Sequence, residues 1–466
     1  MIFNSFNFVV FFPLIFLLYY IIPVRFGKAR NAFLLFVSYL LYLQWKPIYA
    51  LFLLGVTLVT YFSALLLPKV SKPYLLLVAS VLLTIFPLFF FKYFNFVNES
   101  LLGVLELIGI RWNINGLNWA IPVGISFFTF QALGYLWDVY YKRIEAENDF
   151  LSYALFISFF PSILSGPINK ASLVIPQIKN LRTYFDYEKA VKGARFLLWG
   201  MFMKVAVADR LAIFVDTVYE DYMANTGLTC FAASVFYSLQ IYADFAGYSL
   251  MAIGVGKILG FELTENFRRP YFAVSVTEFW HRWHISLSTW LKDYIYIPLG
   301  GSRCSKGRNY WNIFVTFFVS GIWHGANWTF IIWGCVHGIC QIFEKILGQQ
   351  KNNYGLMGTI IKILLTFLIV NFAWIFFRMP TISDALGMII HIFDISQPMT
   401  VDIPQKSHLL VLFILIAKDF LDEYYSKLKN LFDKSILIRW SIYIIVFVII
   451  MLQGVFGADQ FIYVGF

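Results

Sequence analysis

The chain carries few charged residues for its length. Only 13% of its 466 residues are Asp, Glu, Lys or Arg, whereas 60% are hydrophobic. A water-soluble domain usually carries about 25% charged residues, because its surface has to be solvated. The composition therefore excludes an ordinary soluble globular protein and indicates a chain that folds within a lipid bilayer.

Cysteine is also scarce, and the four cysteines, at positions 230, 304, 335 and 340, have no metal-binding or redox spacing. We interpret them as apolar filler in or beside helices. No repeat of fixed period and no low-complexity linker is visible. The sequence predicts one membrane-embedded domain over residues 1–466, made of N-terminal helices (1–117), a core with the catalytic motifs (118–380) and C-terminal helices (381–466).

The apolar residues come in long blocks. Ser5–Pro23, Pro47–Leu67 and Tyr74–Phe91 are each long enough to cross hydrocarbon as helix, which takes about 20 residues. Later blocks include 309–332 and 332–347, taken as two spans. Several of the later blocks are short, and residues 151–167 contain Pro161 and Gly166. We therefore predict an all-α polytopic membrane protein with about 10–12 transmembrane helices and a broken or re-entrant helix at 151–167.

The net charge of +10 would suggest nucleic acid in a soluble protein. Here the Lys and Arg residues fall between the apolar blocks, as the positive-inside rule for membrane proteins predicts. We therefore expect the lipid bilayer as the environment and no nucleic-acid partner.

The first candidate site surrounds His284. If Trp280–Leu291 is one helix, residues 280, 283, 284, 287 and 291 share a face, and the imidazole lies among apolar groups. Two other readings stay open. His284 could be a core histidine bonded to neighbouring backbone, or Glu278, His281 and His284 could bind a metal ion, although no further ligand is evident and we predict no metal site.

The second candidate site surrounds His324. No Asp, Glu, Lys or Arg occurs from Val315 to Gly338, and a titratable group inside such an apolar block is a functional candidate by default. On a helix His324 would share a face with Asn327, which could orient a ring nitrogen or donate to an oxyanion. We expect a neutral imidazole that acts as a general base towards a hydroxyl. The alternative is a histidine that only packs between helices.

The third candidate is a basic turn that follows Gly300 and Gly301. Glycine-rich backbone with Arg303, Lys306 and Arg308 suits a ligand that carries phosphate groups. An ordinary cytoplasmic loop that obeys the positive-inside rule would look the same.

Together these motifs resemble a known family. Glu278–Ser288 reads EFWHRWHISLS, and Asp293–Gly301 reads DYIYIPLGG; GISFFTFQ at 124–131, DFAGYS at 244–249 and GIWHGAN at 321–327 also match. The chain resembles the membrane-bound O-acyltransferase (MBOAT) superfamily over essentially its whole length, in particular the branch of bacterial alginate O-acetyltransferase membrane subunits. The chain departs from that branch at two positions. The branch usually has Arg at the position of His281 and an acidic residue at the position of Leu250. His281 is therefore not expected to be a shared catalytic group.

The resemblance implies a ring of helices around a central tunnel, open to the cytoplasm for the donor and to the outside for the acceptor. His324 would be the catalytic histidine, His284 the second histidine of the branch, and Asn327 its support. The implied donor is acetyl-CoA, a substrate rather than a permanently bound cofactor, and our own inference from charge assigns its phosphates to Arg303, Lys306 and Arg308. The implied partner is an extracytoplasmic SGNH/GDSL-type acetyltransferase or the polysaccharide itself, with the protein in the bacterial inner membrane.

Several functions remain open at this point. Within the enzyme class the acceptor could be an exopolysaccharide such as alginate or cellulose, or peptidoglycan, and the transferred group could be D-alanine moved to teichoic acid. Outside it, the chain could be a transporter or flippase, or a non-catalytic membrane subunit of an acylation complex.

Overall fold

The computed structural model describes residues 3, 5–110, 115–117, 119–180, 184–348, 355–394, 396–398, 400–401, 406–425 and 435–457. Within these ranges the chain forms α-helices joined by short turns, 3-10 and π segments, and no strand. The predicted all-α polytopic membrane fold is confirmed. The helices are α1 Phe6–Ile21, α2 Gly27–Leu43, α3 Pro47–Leu66, α4 Pro73–Leu88, α5 Phe94–Leu107, α6 Ile125–Tyr140, α7 Phe150–Ser158, α8 Phe160–Ile163, α9 Ala171–Lys179, α10 Tyr187–Met201, α11 Asp209–Glu220, α12 Gly227–Ile258, α13 Val276–Arg282, α14 Ile285–Leu291, α15 Lys306–His324, α16 Trp328–Ile346, α17 Leu356–Arg378, α18 Ile382–Ile392, α19 Lys406–Tyr424 and α20 Ile436–Gln453.

Four described helices are long and apolar enough to cross a membrane by length and composition: Pro47–Leu66, Pro73–Leu107, Leu356–Arg378 and Ile436–Gln453. The second of these is α4 and α5 joined by a π segment. A fifth span is possible if Asn7–Ile21 and Val24–Leu43, which meet at a bend of 103°, count as one. The other helices are shorter or more polar, so the predicted number of 10–12 crossings stays a prediction.

Contacts divide the described chain into two compact units. The first consists of Met1–Ala194 and Ala252–Thr264. Its α7 and α8 lie in the block predicted as a broken helix, and the chain does break there, at Phe159. Both pieces are buried, and the Ser38 hydroxyl on α2 accepts a hydrogen bond from the Phe160 N–H at 3.1 Å. A side chain from a neighbouring helix thus satisfies a backbone N–H that the break leaves open, as a low-dielectric environment requires.

The second unit consists of Arg195–Met251 and Glu265–Phe466, and every predicted site residue lies in it. Its centre is the antiparallel hairpin α15–α16, in which backbone approaches backbone at glycines. A Cβ on Gly321 would lie 2.5 Å from the Phe330 carbonyl oxygen, and one on Gly334 would lie 2.4 Å from the Phe317 carbonyl oxygen. Small residues at such crossings let membrane helices pack closely. The one-domain prediction, with inner boundaries at 117 and 380, stays a prediction.

The hairpin turns earlier than the sequence predicted. The predicted spans 309–332 and 332–347 place the break at residue 332, whereas α15 ends at His324 and α16 begins at Trp328. Gly325 ends α15 with extended backbone, and Asn327 caps α16 by accepting a hydrogen bond from the Thr329 N–H. The predicted boundary was wrong because apolar residues continue through a turn that capping chemistry defines.

Candidate active site

His324 is the last residue of α15, at the turn of the hairpin, and its side chain is 2% exposed. The next residue can only be glycine in this packing, because a Cβ on Gly325 would lie 2.1 Å from the Phe330 ring. The turn is therefore pressed against α16. The imidazole takes its position from a rigid hairpin rather than from a loose connection.

Aromatic rings surround this imidazole. The His324 ring centroid lies 4.8 Å from that of Trp323, 4.7 Å from that of Trp333 and 5.3 Å from that of Phe377, each in an edge-to-face arrangement. The rings come from α15, α16 and α17, so three helices fix the orientation of one side chain. Packing on three sides fixes the orientation of the imidazole.

The sequence predicted that Asn327 shares a helix face with His324. It does not, because the hairpin turn separates the two residues. Its side-chain nitrogen donates a hydrogen bond to the Pro380 carbonyl at 2.7 Å, and its oxygen accepts one from the Thr329 N–H at 3.1 Å. Both ends of the amide are thus engaged in closing the turn. A direct role of Asn327 in catalysis stays a prediction.

His284 lies at a break that the sequence did not predict. Trp280–Leu291 is not one helix: α13 ends at Arg282, α14 begins at Ile285, and His284 between them adopts the left-handed conformation, with φ 43° and ψ 53°. Such backbone is unfavourable for a side chain larger than glycine and persists only where the surroundings enforce it.

A neighbouring segment enforces it by bonding on both sides of the break. The Arg268 N–H donates to the Arg282 carbonyl and the Ile285 N–H donates to the Asn266 carbonyl, each at 2.9 Å. The Asn266 side chain also accepts from the Ser286 N–H at 3.2 Å. Two backbone hydrogen bonds therefore lie on either side of the strained residue. Asn266 contributes two acceptors, its backbone carbonyl and its side-chain oxygen.

The break turns the His284 side chain towards His324. Their ring centroids lie 6.4 Å apart, and the Phe245 ring packs against His284 at 4.6 Å. His284 is fully buried, and neither ring nitrogen has a hydrogen-bond partner among the described residues. No described backbone group bonds to the His284 imidazole, as the reading of a core histidine bonded to neighbouring backbone had required. Residues 270–296 contain no spanning helix, and burial there lowers the pKa of His284 to about 3.

The metal alternative finds no support at this place. His281 is exposed, and the Glu278 carboxylate pairs with the Arg282 guanidinium at 2.6 Å. Across the described ranges, no three His, Cys, Asp or Glu side chains lie close enough to bind one ion.

The basic turn lies at the other end of α15. Arg303, Lys306 and Arg308 are all exposed, and Gly300 and Gly301 have the positive φ values, 112° and 54°, that favour glycine. From Lys306 to His324 the helix rises about 27 Å at 1.5 Å per residue. The structure thus places the two predicted sites at opposite ends of one helix.

An ion network that the sequence did not predict lies behind the His284 turn. The Glu423 carboxylate on α19 pairs with Arg269 at 2.6 Å and with Arg282 at 2.9 Å. No pattern in the sequence joins residue 282 to a residue 141 positions away. Trp333 and Phe377, which contact His324, were missed for the same reason, since apolar blocks do not reveal which rings meet.

A buried imidazole pair at a helix turn, in an all-helical chain with apolar spans, is suited to proton transfer between substrates within a membrane. Membrane acyltransferases are a class of protein that transfers a proton in this way. Residues 141–380 match the family model described as MBOAT, membrane-bound O-acyltransferase family. The chain belongs to this family, and the prediction of an acyltransferase is confirmed.

The chain is similar to individual members of the family to different extents. The chain is 38% identical over 392 residues to the probable alginate O-acetylase AlgI of Pseudomonas syringae pv. tomato, covering 83% of this chain and 74% of the relative. It is 34% identical over 416 residues to the peptidoglycan O-acetyltransferase of Helicobacter pylori, covering 81% and 77%. It is 26% identical over 268 residues to the teichoic acid D-alanyltransferase of Bacillus subtilis, covering 55% and 68%.

Proposed function

We propose that this protein O-acetylates an extracytoplasmic polysaccharide from a position in the bacterial inner membrane. The observation that carries the proposal is the pair of buried imidazoles, His324 and His284, whose ring centroids lie 6.4 Å apart. The two rings are close enough for a single reacting group beside them to contact both.

An acetyl group is favoured over D-alanine by the extent of similarity. The alginate and peptidoglycan O-acetylases match 83% and 81% of this chain, whereas the D-alanyltransferase matches 55%. The acceptor is therefore a hydroxyl of an exopolysaccharide or of peptidoglycan. An extracytoplasmic SGNH/GDSL-type acetyltransferase would receive the acetyl group where transfer takes two steps.

The donor in this proposal is acetyl-CoA, which enters from the cytoplasm. Basic loops tend to lie on the cytoplasmic side, so the end of α15 with Arg303, Lys306 and Arg308 faces inwards and the His324 turn faces outwards. Exposed guanidinium and ammonium groups can pair with the phosphates of the nucleotide. The thioester then reaches towards His324 along α15.

The His324 imidazole accepts the proton of the acceptor hydroxyl as the oxygen attacks the thioester carbonyl. The new C–O bond forms, the C–S bond breaks, and the sulfur leaves with the electron pair. The imidazolium returns the proton to that thiolate, which leaves as the free thiol, so the cycle consumes no net proton. His284 lies beside the reacting groups and remains neutral, since burial holds its pKa far below physiological pH.

The test compares a strain that lacks the protein with strains that express the wild type or His324→Ala at equal membrane abundance. We expect base-labile acetate on one envelope polysaccharide to disappear in the deletion strain, to return with the wild type and to stay absent with His324→Ala. Full acetate with His324→Ala would mean that the protein is a transporter or a recruiting subunit instead.

A further inference from the structure

The Glu423 carboxylate on α19 binds two guanidinium groups at once. Its Oε2 atom accepts a hydrogen bond from the Arg269 Nε–H at 2.6 Å, and its Oε1 atom accepts one from a terminal nitrogen of Arg282 at 2.9 Å. Arg282 pairs with the Glu278 carboxylate as well, at 2.6 Å. Two cations thus meet two carboxylates, so the charges within this network balance.

Both arginines belong to strained stretches of backbone. Arg269 itself is left-handed, with φ 47° and ψ 60°. Arg282 ends α13, two positions before the left-handed His284. Among the described residues other than glycine, only Lys142 shares a positive φ with them. Such backbone persists only where the surroundings enforce it, and a single carboxylate, that of Glu423, reaches both places.

Backbone hydrogen bonds join the same two stretches. They run between residues 266–268 and residues 282–285, at 2.9 Å each. The side chains of Arg269 and Arg282, which extend from these stretches, converge on Glu423. The spacing of the two stretches is therefore fixed twice, once by the backbone and once by the carboxylate.

Neighbouring contacts hold Glu423 itself in place. One turn earlier on α19, the Asp419 carboxylate accepts a hydrogen bond from the Tyr242 hydroxyl on α12 at 2.7 Å. The Phe420 ring contacts the Phe272 ring at 6.3 Å between centroids. The Glu423 side chain is only 16% exposed. Exposed ion pairs contribute little, whereas removing one partner of a largely buried pair has a large effect.

We propose that Glu423 is a positioning residue for His284. By holding the two guanidinium groups, it keeps the break between α13 and α14 in the conformation that turns the His284 imidazole towards His324. This inference rests on the proposed function, because it assumes that His284 lies beside the reacting groups. Helix α19 lies outside residues 141–380, which match the family model, so a later helix of the chain fixes the geometry of the site.

Hydrogen–deuterium exchange of the full-length protein in detergent tests the structural half of the proposal. We expect Glu423→Gln, which keeps the shape and removes the charge, to speed amide exchange in peptides covering residues 266–286 about tenfold. Peptides from the α15–α16 hairpin should exchange as in the wild type. Asp422→Asn is the matched control, because Asp422 is 19% exposed and pairs with Lys418 within α19. It should leave exchange at 266–286 unchanged.

Turnover of the same proteins tests the functional half. Glu423→Gln should lower kcat for acceptor-dependent thiol release about tenfold, since displacement of a group beside the reacting atoms slows the chemical step. The KM for acetyl-CoA should stay within about twofold, because Glu423 is placed in no contact with the donor. Asp422→Asn should keep both kinetic constants.

Three results would overturn this inference and leave the acyl transfer intact. The first is wild-type exchange at 266–286 in the Glu423→Gln protein, and the second is faster exchange there with an unchanged kcat. The third is faster exchange in the hairpin as well, with a lower thermal midpoint, which would assign Glu423 a merely structural role. Wild-type protein that releases no thiol from acetyl-CoA with any acceptor would instead overturn the proposed function, and this inference with it.

Discussion

At the scale of single residues, the unusual backbone of His284 explains how two histidines 40 positions apart come together. A left-handed conformation costs about 1 kcal/mol for a residue that is not glycine. The chain retains it because Asn266 and Arg268 bond on either side of the break. The conformation turns the imidazole out of the helical path and into contact with Phe245 and His324.

Burial of a neutral His284 predicts a defined loss of stability in acid. In the unfolded chain the imidazole takes up a proton near pH 6.5, whereas in the folded protein its pKa is about 3. Between these values the unfolded state binds more protons, so stability falls as pH falls, by up to about 1.4 kcal/mol per pH unit. We expect His284→Asn to flatten the decline of the thermal midpoint between pH 6.5 and pH 5.

His281 provides the matched control for this experiment. It lies three positions away on α13 and is exposed. His281→Asn should leave the acid decline as steep as in the wild type. An unchanged decline in the His284→Asn protein would contradict the account of a buried neutral imidazole.

At the scale of elements, the α15–α16 hairpin depends on glycine where backbone meets backbone. A Cβ at Gly334 would lie 2.4 Å from the Phe317 carbonyl oxygen, which cannot move without shifting α15. We expect Gly334→Ala to destabilise the protein by about 1–3 kcal/mol, as overpacking does, and to lower the transfer rate because α15 carries His324.

Gly307 is the control, since a Cβ there would meet nothing within 4 Å and the residue lies in the first turn of the same helix. Gly307→Ala should keep or slightly raise the thermal midpoint in detergent. Equal midpoints for Gly334→Ala and the wild type would show that the hairpin is not packed as described.

If the basic turn binds the donor's phosphates, removing its charges should weaken the binding of acetyl-CoA and leave the rate of the chemical step unchanged. Replacing Arg303, Lys306 and Arg308 together by Gln should raise the KM for acetyl-CoA about tenfold and keep kcat within about twofold. S-acetylpantetheine lacks the nucleotide phosphates, so its KM should not change. The effect should shrink at high salt, because the three side chains are exposed.

Lys69 and Lys72 provide a comparison for this experiment, as exposed cations in another loop. Their replacement by Gln should leave both KM values unchanged. A triple variant of the turn that raised the two KM values equally would contradict a role in binding phosphates.

Some elements could be predicted from the sequence and others could not. Pro161 and Gly166 correctly predicted the broken helix in the 151–167 block, because proline and glycine act on the local backbone. The break at His284 carries no such signal, since neighbouring segments rather than the residue itself impose the left-handed conformation. The hairpin turn was placed too late because apolar residues continue through it.

At the scale of the whole molecule, composition was sufficient to predict the class. A chain with 13% charged and 60% hydrophobic residues in long blocks satisfies its backbone polar groups in lipid as helices, and the described residues form helices and no strand. The sequence singled out His284 and His324 as two separate candidates, and only the folded structure brings their rings together. The ties that hold the site, such as Glu423 with Arg282, join distant parts of the chain and depend on the folded structure.

The central claim is that His324 removes the proton of an acceptor hydroxyl, and thiol release from acetyl-CoA by purified protein measures it most directly. The assay uses detergent-solubilised protein with alginate oligosaccharides or peptidoglycan fragments as acceptors. His324→Ala should lower acceptor-dependent thiol release at least about 100-fold, since a general base contributes about 10²- to 10⁴-fold. Release at the wild-type rate from the His324→Ala protein would contradict the account.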